Sequence, residues 1–234
     1  RGLGDVYKRQ EKFMRDNTGK YTSLLWEPNE YINIMVYPFT DSQILGISTF
    51  PYSLKNFFLE GTQQVSASWI TLENLSFPYC ISINSSYIYE QSTDERINQN
   101  DAAITLAHEL GHYLGLRHVF SEGGTTSMCT DTDYCKDTPS YNRSEYEQWL
   151  NNLDKQNKYQ LKDLAKRYSC EKGEYEAHNI MDYAYCFYNE ITLEQRKRIR
   201  HILNYSPLIP GPKESRIDTR GVQGRLNLPI CIMK

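Results

Sequence analysis

The chain has 234 residues, enough for one domain with a substantial core or for two small lobes sharing a cleft. Its 26 basic and 29 acidic side chains leave a net charge of -3, too balanced to mark a nucleic acid or an anionic membrane as the main partner. No apolar run reaches the roughly 18 residues of a bilayer span, and 19 Tyr, 8 Phe and 3 Trp supply more aromatic surface than a disordered chain carries.

The opening decapeptide, 1–10, has neither an initiator methionine nor an apolar stretch. Its segment Asp5-Val6-Tyr7-Lys8-Arg9-Gln10 resembles a translated adapter scar. It is set aside as non-native, and the natural beginning, with any signal or lipid-anchor peptide, is expected to be missing. Tyr31–Phe39 is rich in β-branched and aromatic residues and predicts a strand. Ile44–Tyr52 predicts a second, placed at an edge or bulge by Gly46 and Pro51. Ser66–Leu72 and Tyr79–Tyr89 are two further candidates, the latter alternating through Ile81, Ile83 and Tyr87.

A helix follows from about Asp101 to Leu114, with Asn100 or Asp101 as its cap and Gly115 as its stop. At about 100° per residue, Ala103, Leu106, Leu110 and Leu114 share one arc, while His108 and His112 lie opposite. Beyond a turn-rich stretch, Ser121–Pro139, the spacing of Trp149, Leu150 and Leu153 predicts a helical insert over about 144–168. Thr192 and Gln195 form a capping-box pattern that opens a last helix through Leu203. Residues 207–234, with Pro207, Pro210, Gly211 and Pro212 near their start, read as a tail or linker.

Six cysteines, Cys80, Cys129, Cys135, Cys170, Cys186 and Cys231, form no C-x-x-C pair. Their even number and wide spacing favour disulfides and an oxidising compartment, with buried thiols as the alternative.

The chemistry concentrates in His108-Glu109-Leu110-Gly111-His112-Tyr113-Leu114-Gly115-Leu116-Arg117-His118, which fits H-E-x-x-H-x-x-G-x-x-H at every fixed position. By average composition, chance occurrence in such a chain is on the order of one in 10⁵. Histidines four apart stand one above the other on a helix and can share one ion. Gly115 lets the chain leave the helix sharply, so that His118 returns as a third ligand. Three protein ligands leave one position open for water, which zinc acidifies to a pKa of about 7. Glu109, beside the first ligand, is placed to take that water's proton and hand it to a leaving amine. The pattern therefore points to metal-assisted amide hydrolysis with Zn²⁺.

The segment is the long zinc signature of the metzincin metallopeptidases, and within them the chain resembles the pappalysin group. Shared features run from Tyr31-Ile32-Asn33-Ile34, through Gly46–Pro51, Val119-Phe120 and Asp137-Thr138-Pro139, to Asn179–Tyr183 and Gln195-x-x-Arg198. The resemblance implies an α+β fold in which a mixed β-sheet and the active-site helix form an upper lobe, about 11–118. An irregular, helix-containing lower lobe, about 119–206, completes the catalytic domain 11–206. It implies a Met-turn at Met181, which alone would read as a core filler, and a role for Tyr183 at the tetrahedral oxyanion. It implies that Ile44–Phe50 is an edge strand pairing with an extended peptide. It also implies bridges Cys129–Cys170 and Cys135–Cys186, and a choice between a Ca²⁺ site and solvated turn carboxylates at Asp131, Asp133 and Asp137.

His178 and His201 read as ordinary histidines. The expected protein is a monomeric endopeptidase, secreted or held at the cell surface, with a polypeptide substrate and no nucleic-acid partner. A zinc hydrolase of a non-protein amide, such as a cell-wall peptide, and a non-catalytic protein-binding module on the same fold are the rival readings.

Overall fold

The structure, a computed structural model, describes residues 13–66, 75–89, 91–122, 130–169, 171–213 and 230–233. The first apolar run forms β1 (Ile34–Tyr37), whose Met35 and Tyr37 pack inward while Ile34 and Val36 stay exposed. The run Ile44–Tyr52 is divided: β2 (Gly46–Thr49) and β3 (Tyr52–Leu54) are separate strands, and Pro51, which lacks an amide hydrogen, lies at the break. β3 pairs in parallel with the short β4 (Gln63–Val65). The strand expected over Ser66–Leu72 lies, apart from Ser66, outside the described residues. β5 (Ile81–Asn84) ends earlier than the alternation suggested, because the Asn84 side chain accepts from Ser86 N and donates to Ile44 O, turning the chain.

β1, β5, β2 and β8 (Ile230–Met233) form one mixed sheet in that order. β1 and β5 are parallel, and β2 is antiparallel to both β5 and β8. β2 and β5 are buried along their whole length, as central strands should be. Below β2 runs α1 (Ala102–Tyr113). Its Leu106, Leu110 and neighbouring Leu114 face the main core, beside Ile47, Ile81 and Ile83 of the sheet. Asp101 occupies the N-cap position, but its carboxylate accepts from Ser92 N and not from the helix.

The expected helical insert is shorter than its pattern. α2 (Arg143–Asn151), capped by Asn142, is followed by one helical turn, α3 (Leu161–Leu164), and then by a strand. That strand, β6 (Lys166–Ser169), pairs antiparallel with β7 (Gly173–Glu176), burying Arg167 while Lys166 and Tyr168 face out. Alternation over only four residues is too brief to distinguish from helical spacing. α4 (Leu193–Tyr205) opens as expected, with Thr192 and Gln195 exchanging cap hydrogen bonds.

The tail reading of 207–234 is corrected at two places. Leu208 and Ile209 are fully buried in the main core, and Leu208 O accepts from Tyr113 Oη. Ile230–Met233 is a sheet strand. Both contacts are long-range.

Candidate metal centre

α1 ends in a left-handed turn. Gly115 has φ 89°, its N–H donates to His112 O, and Leu116 N–H donates to Gly111 O. This pair of bonds reverses the chain under the helix and brings His118 back against His112, Nε2 to Nε2 at 3.0 Å. One ligand atom from each of His108, His112 and His118 lies within 4.8 Å of the others. Among the described residues this is the one group of its kind.

The outer ring nitrogens are fixed. His108 Nδ1 donates to Ile180 O and His112 Nδ1 to Leu116 O, both at 2.8 Å, and His118 Nδ1 is bound to the Glu122 carboxylate. Carbonyl oxygens only accept, so the protons of His108 and His112 sit on Nδ1 and their Nε2 lone pairs point inward. Burial lowers His108 to about 4 and holds His112 and His118 well below the usual imidazole range. His108 Nε2 is buried with no hydrogen-bond partner among the described residues. Neutral imidazoles whose lone pairs converge in a dry site repel one another unless a cation sits between them, and soft nitrogen donors in threes suit a transition metal. The residues fit a metal.

Three further elements close the site. Glu109, fully buried on α1, lies against β2 so tightly that a Cβ on Gly46 would stand 2.6 Å from Glu109 Cγ. Tyr183 sets its ring 4.5 Å from that of His118 and 5.7 Å from that of His108, and the Arg143 guanidinium lies over the Tyr183 ring, 4.4 Å from its centre. Burial pushes its phenol up, so Tyr183 stays protonated. Met181 is fully buried beneath the helix, where a Cβ on Gly111 would overlap its Sδ.

Residues 60–204, more than half of the chain, match the model of peptidase family M43, described as pregnancy-associated plasma protein-A. The chain belongs to this family, the pappalysin-type metzincins. An extracellular metalloprotease of Arthroderma otae is 31% identical over 188 residues, which cover 79% of this chain and 55% of that protein. An extracellular metalloprotease of Arthroderma benhamiae is 30% identical with the same coverage. The pappalysin chain therefore spans about half the length of the curated relatives it matches. A solved structure of Tannerella forsythia mature mirolysin in complex with a cleaved peptide aligns with TM-score 0.44 and 22% identity, covering 79% of this chain and 57% of that one.

Other expectations about this pappalysin fare differently. Cys135 and Cys186 are both buried free thiols, which corrects the proposed bridge between them. Each Sγ is turned to its own loop, Cys135 towards Asp133 O and Cys186 towards Asn179 O. Cys129 and Cys170 lie outside the described residues. Asp131, Asp133 and Asp137 point their oxygens at different work: Asp131 accepts from Asp133 N and Tyr134 N, Asp133 from Cys135 N and Thr138 Oγ1, and Asp137 from Glu194 N. His178 and His201 stay away from the centre, bound to Asn189 and to Phe57 O.

Sequence reasoning missed the supports. Glu122 fixes His118 and its only signal was a carboxylate four residues on. Arg167 spans the Met181 turn: it donates to Tyr183 O and Ala184 O, faces Asp182 at 3.4 Å, and lies 3.7 Å over the Tyr146 ring. Asn179 and Gln195 exchange two amide hydrogen bonds, tying the same turn to α4. Arg198 donates to Gly115 O and Glu60 O, holding the helix exit from outside.

Proposed function

We propose that this chain carries the catalytic unit of a zinc endopeptidase acting outside the cell. His108, His112 and His118 are its zinc ligands, Glu109 its general base and acid, and Tyr183 the donor to the developing oxyanion. The observation that carries this reading is the convergence of three neutral imidazoles, each with its outer nitrogen fixed, next to a buried carboxylate. Zinc, when bound, supplies Lewis acidity towards the scissile carbonyl and acidifies water.

The protein's own groups supply the rest. Glu109, one residue after the first ligand and backed by β2, accepts the proton of the attacking water and delivers it to the amine that leaves. Its burial keeps competing solvent away and strengthens its field. Tyr183, kept protonated beside His118, donates to the carbonyl oxygen as charge develops there. Ile180 O and Glu122 orient the ligand rings, so the donor set is formed before substrate arrives. The names of the Arthroderma relatives support an extracellular site of action.

The test is a panel of unfolded proteins and cell-wall peptides incubated with the full chain, with and without a chelator, and with Glu109→Ala. Proteins are expected to be cut, chelation to stop cleavage, and Glu109→Ala to abolish it while the zinc content stays at the wild-type level. Undiminished cleavage by Glu109→Ala would refute the mechanism. Turnover confined to cell-wall peptides would replace the endopeptidase reading with a narrower amidase.

A further inference from the structure

α2, the helix of the insert, meets the metal centre at its first turn. Arg143 is its first residue, placed by the Asn142 cap, whose side chain accepts from Glu145 N. The Arg143 guanidinium lies 4.4 Å from the centre of the Tyr183 ring and 5.1 Å from that of Phe120. Those two rings and His118 pack as one cluster. Phe120 stacks on His118 at 4.7 Å with 11° between the planes, and Tyr183 stands 4.5 Å from His118 and 5.0 Å from Phe120. Glu147, one turn further along α2, accepts from Arg143 Nε at 2.6 Å and fixes the direction of the guanidinium.

The same turn of α2 also reaches the Tyr183 backbone. Tyr146, three residues after Arg143, is buried and donates from its hydroxyl to Leu164 O. Its ring lies against the Arg167 guanidinium, which donates to Tyr183 O. Beyond Tyr183 the chain passes through Ala184 and Tyr185 at φ 20° and 53°. Residues with a Cβ rarely take such angles and persist in them only where the surroundings hold them. Local backbone preference works against this turn, and the holding contacts come from α2 and β6.

We infer that Arg143 is a positioning residue for Tyr183: its cation–π contact holds the phenol ring beside His118, so the insert helix takes part in the site. The inference rests on the endopeptidase reading above, in which Tyr183 donates to the developing oxyanion. The ring quadrupole attracts any cation over its face, and a planar guanidinium stacks there better than a compact ammonium. A donor whose bond strengthens only as charge develops contributes to kcat and not to KM, so a loosened ring slows turnover without weakening substrate binding. Arg143 already has a carboxylate partner in Glu147, which argues against a second task as an anchor for an acidic substrate side chain.

The experiment uses the full chain loaded with zinc and a fluorogenic peptide, with Arg143→Met, Arg143→Lys, Tyr183→Phe and the double variant Arg143→Met/Tyr183→Phe. The Arg143 side chain is 35% exposed, so the variants are expected to melt close to wild type. Arg143→Met lowers kcat about tenfold at unchanged KM, Arg143→Lys restores most of it, and Tyr183→Phe lowers kcat about 100-fold. In the double variant kcat matches that of Tyr183→Phe alone, since the guanidinium acts only through the phenol. Crystal structures of the zinc-free proteins give a readout independent of turnover: the Tyr183 ring leaves its place against His118 in Arg143→Met and keeps it in Arg143→Lys. Wild-type kcat in Arg143→Met beside a lowered one in Tyr183→Phe overturns this inference alone. So does a raised KM at unchanged kcat, which would make Arg143 a substrate contact, a further tenfold loss in the double variant, an Arg143→Lys as slow as Arg143→Met, or an unmoved ring in the Arg143→Met crystal. Wild-type kcat in Tyr183→Phe, or a wild type that cuts no peptide, overturns the reading of the reaction and takes this inference with it.

Discussion

Gly46→Ala probes the fit between β2 and Glu109, the proposed general base. The added Cβ would lie 2.6 Å from Glu109 Cγ, 2.8 Å from Oε1 and 3.0 Å from Cδ. Carbon atoms rest at about 3.5 to 4.0 Å, so the carboxylate must retreat by about 1 Å. Gly46 is not among the glycines with positive φ, and alanine suits the strand backbone there. The atoms in the way belong to the outer part of a flexible side chain, and moving it off its rotamer costs about 0.5–1.5 kcal/mol. A catalytic group misplaced by about 1 Å can lose on the order of 100-fold in rate. The expected variant melts within a few degrees of wild type, binds wild-type zinc, and shows kcat about 100-fold lower on a fluorogenic peptide. Wild-type kcat in Gly46→Ala would show that Glu109 does not have to stand where the structure puts it. A collapse in melting temperature would show instead that the strand, and not the side chain, must yield.

Gly111→Ala should destabilise the fold by about 1–3 kcal/mol through overpacking against Met181, although alanine normally gains about 0.5–1 kcal/mol over glycine inside a helix. Urea denaturation of the single and of Gly111→Ala/Met181→Ala checks the cause, because strictly additive losses would mean that the two side chains do not collide. Arg167→Met leaves Asp182 buried without its guanidinium and should cost about 3–5 kcal/mol; a loss under about 1 kcal/mol in the same assay would contradict the clamp. Glu122→Ala frees His118 Nδ1 and should weaken zinc binding about 10- to 100-fold in chelator competition, with the melting curve of the metal-free protein little changed.

The centre was legible because its geometry is local. His108 and His112 are one helical turn apart, Gly115 ends that turn, and His118 follows within three residues, so helix pitch and one left-handed residue bring three imidazoles together. The capping box at Thr192 was readable for the same reason. Two local readings went astray where several patterns compete over few residues: the helical insert read over about 144–168 from Trp149, Leu150 and Leu153 ran on into the strand that starts at Lys166, and Ile230–Met233 was passed over as tail although it is a short apolar run. The thiols of Cys135 and Cys186 were assigned a bridge from resemblance, while the folded loops point each of them elsewhere.

The sequence by itself determined the helix Ala102–Tyr113, its exit turn and the meeting of His108, His112 and His118 beside the Glu109 carboxylate, since each depends on hydrogen bonds and spacings within about ten residues. Tertiary structure alone decided what holds and covers that site. Glu122 on His118, Arg167 across the Met181 turn, the Asn179–Gln195 amide pair, and β8 along β2 each join segments whose meeting is set by chain closure and packing. No periodicity records such contacts, because a side chain's partner across the fold leaves no mark on its own neighbours in sequence.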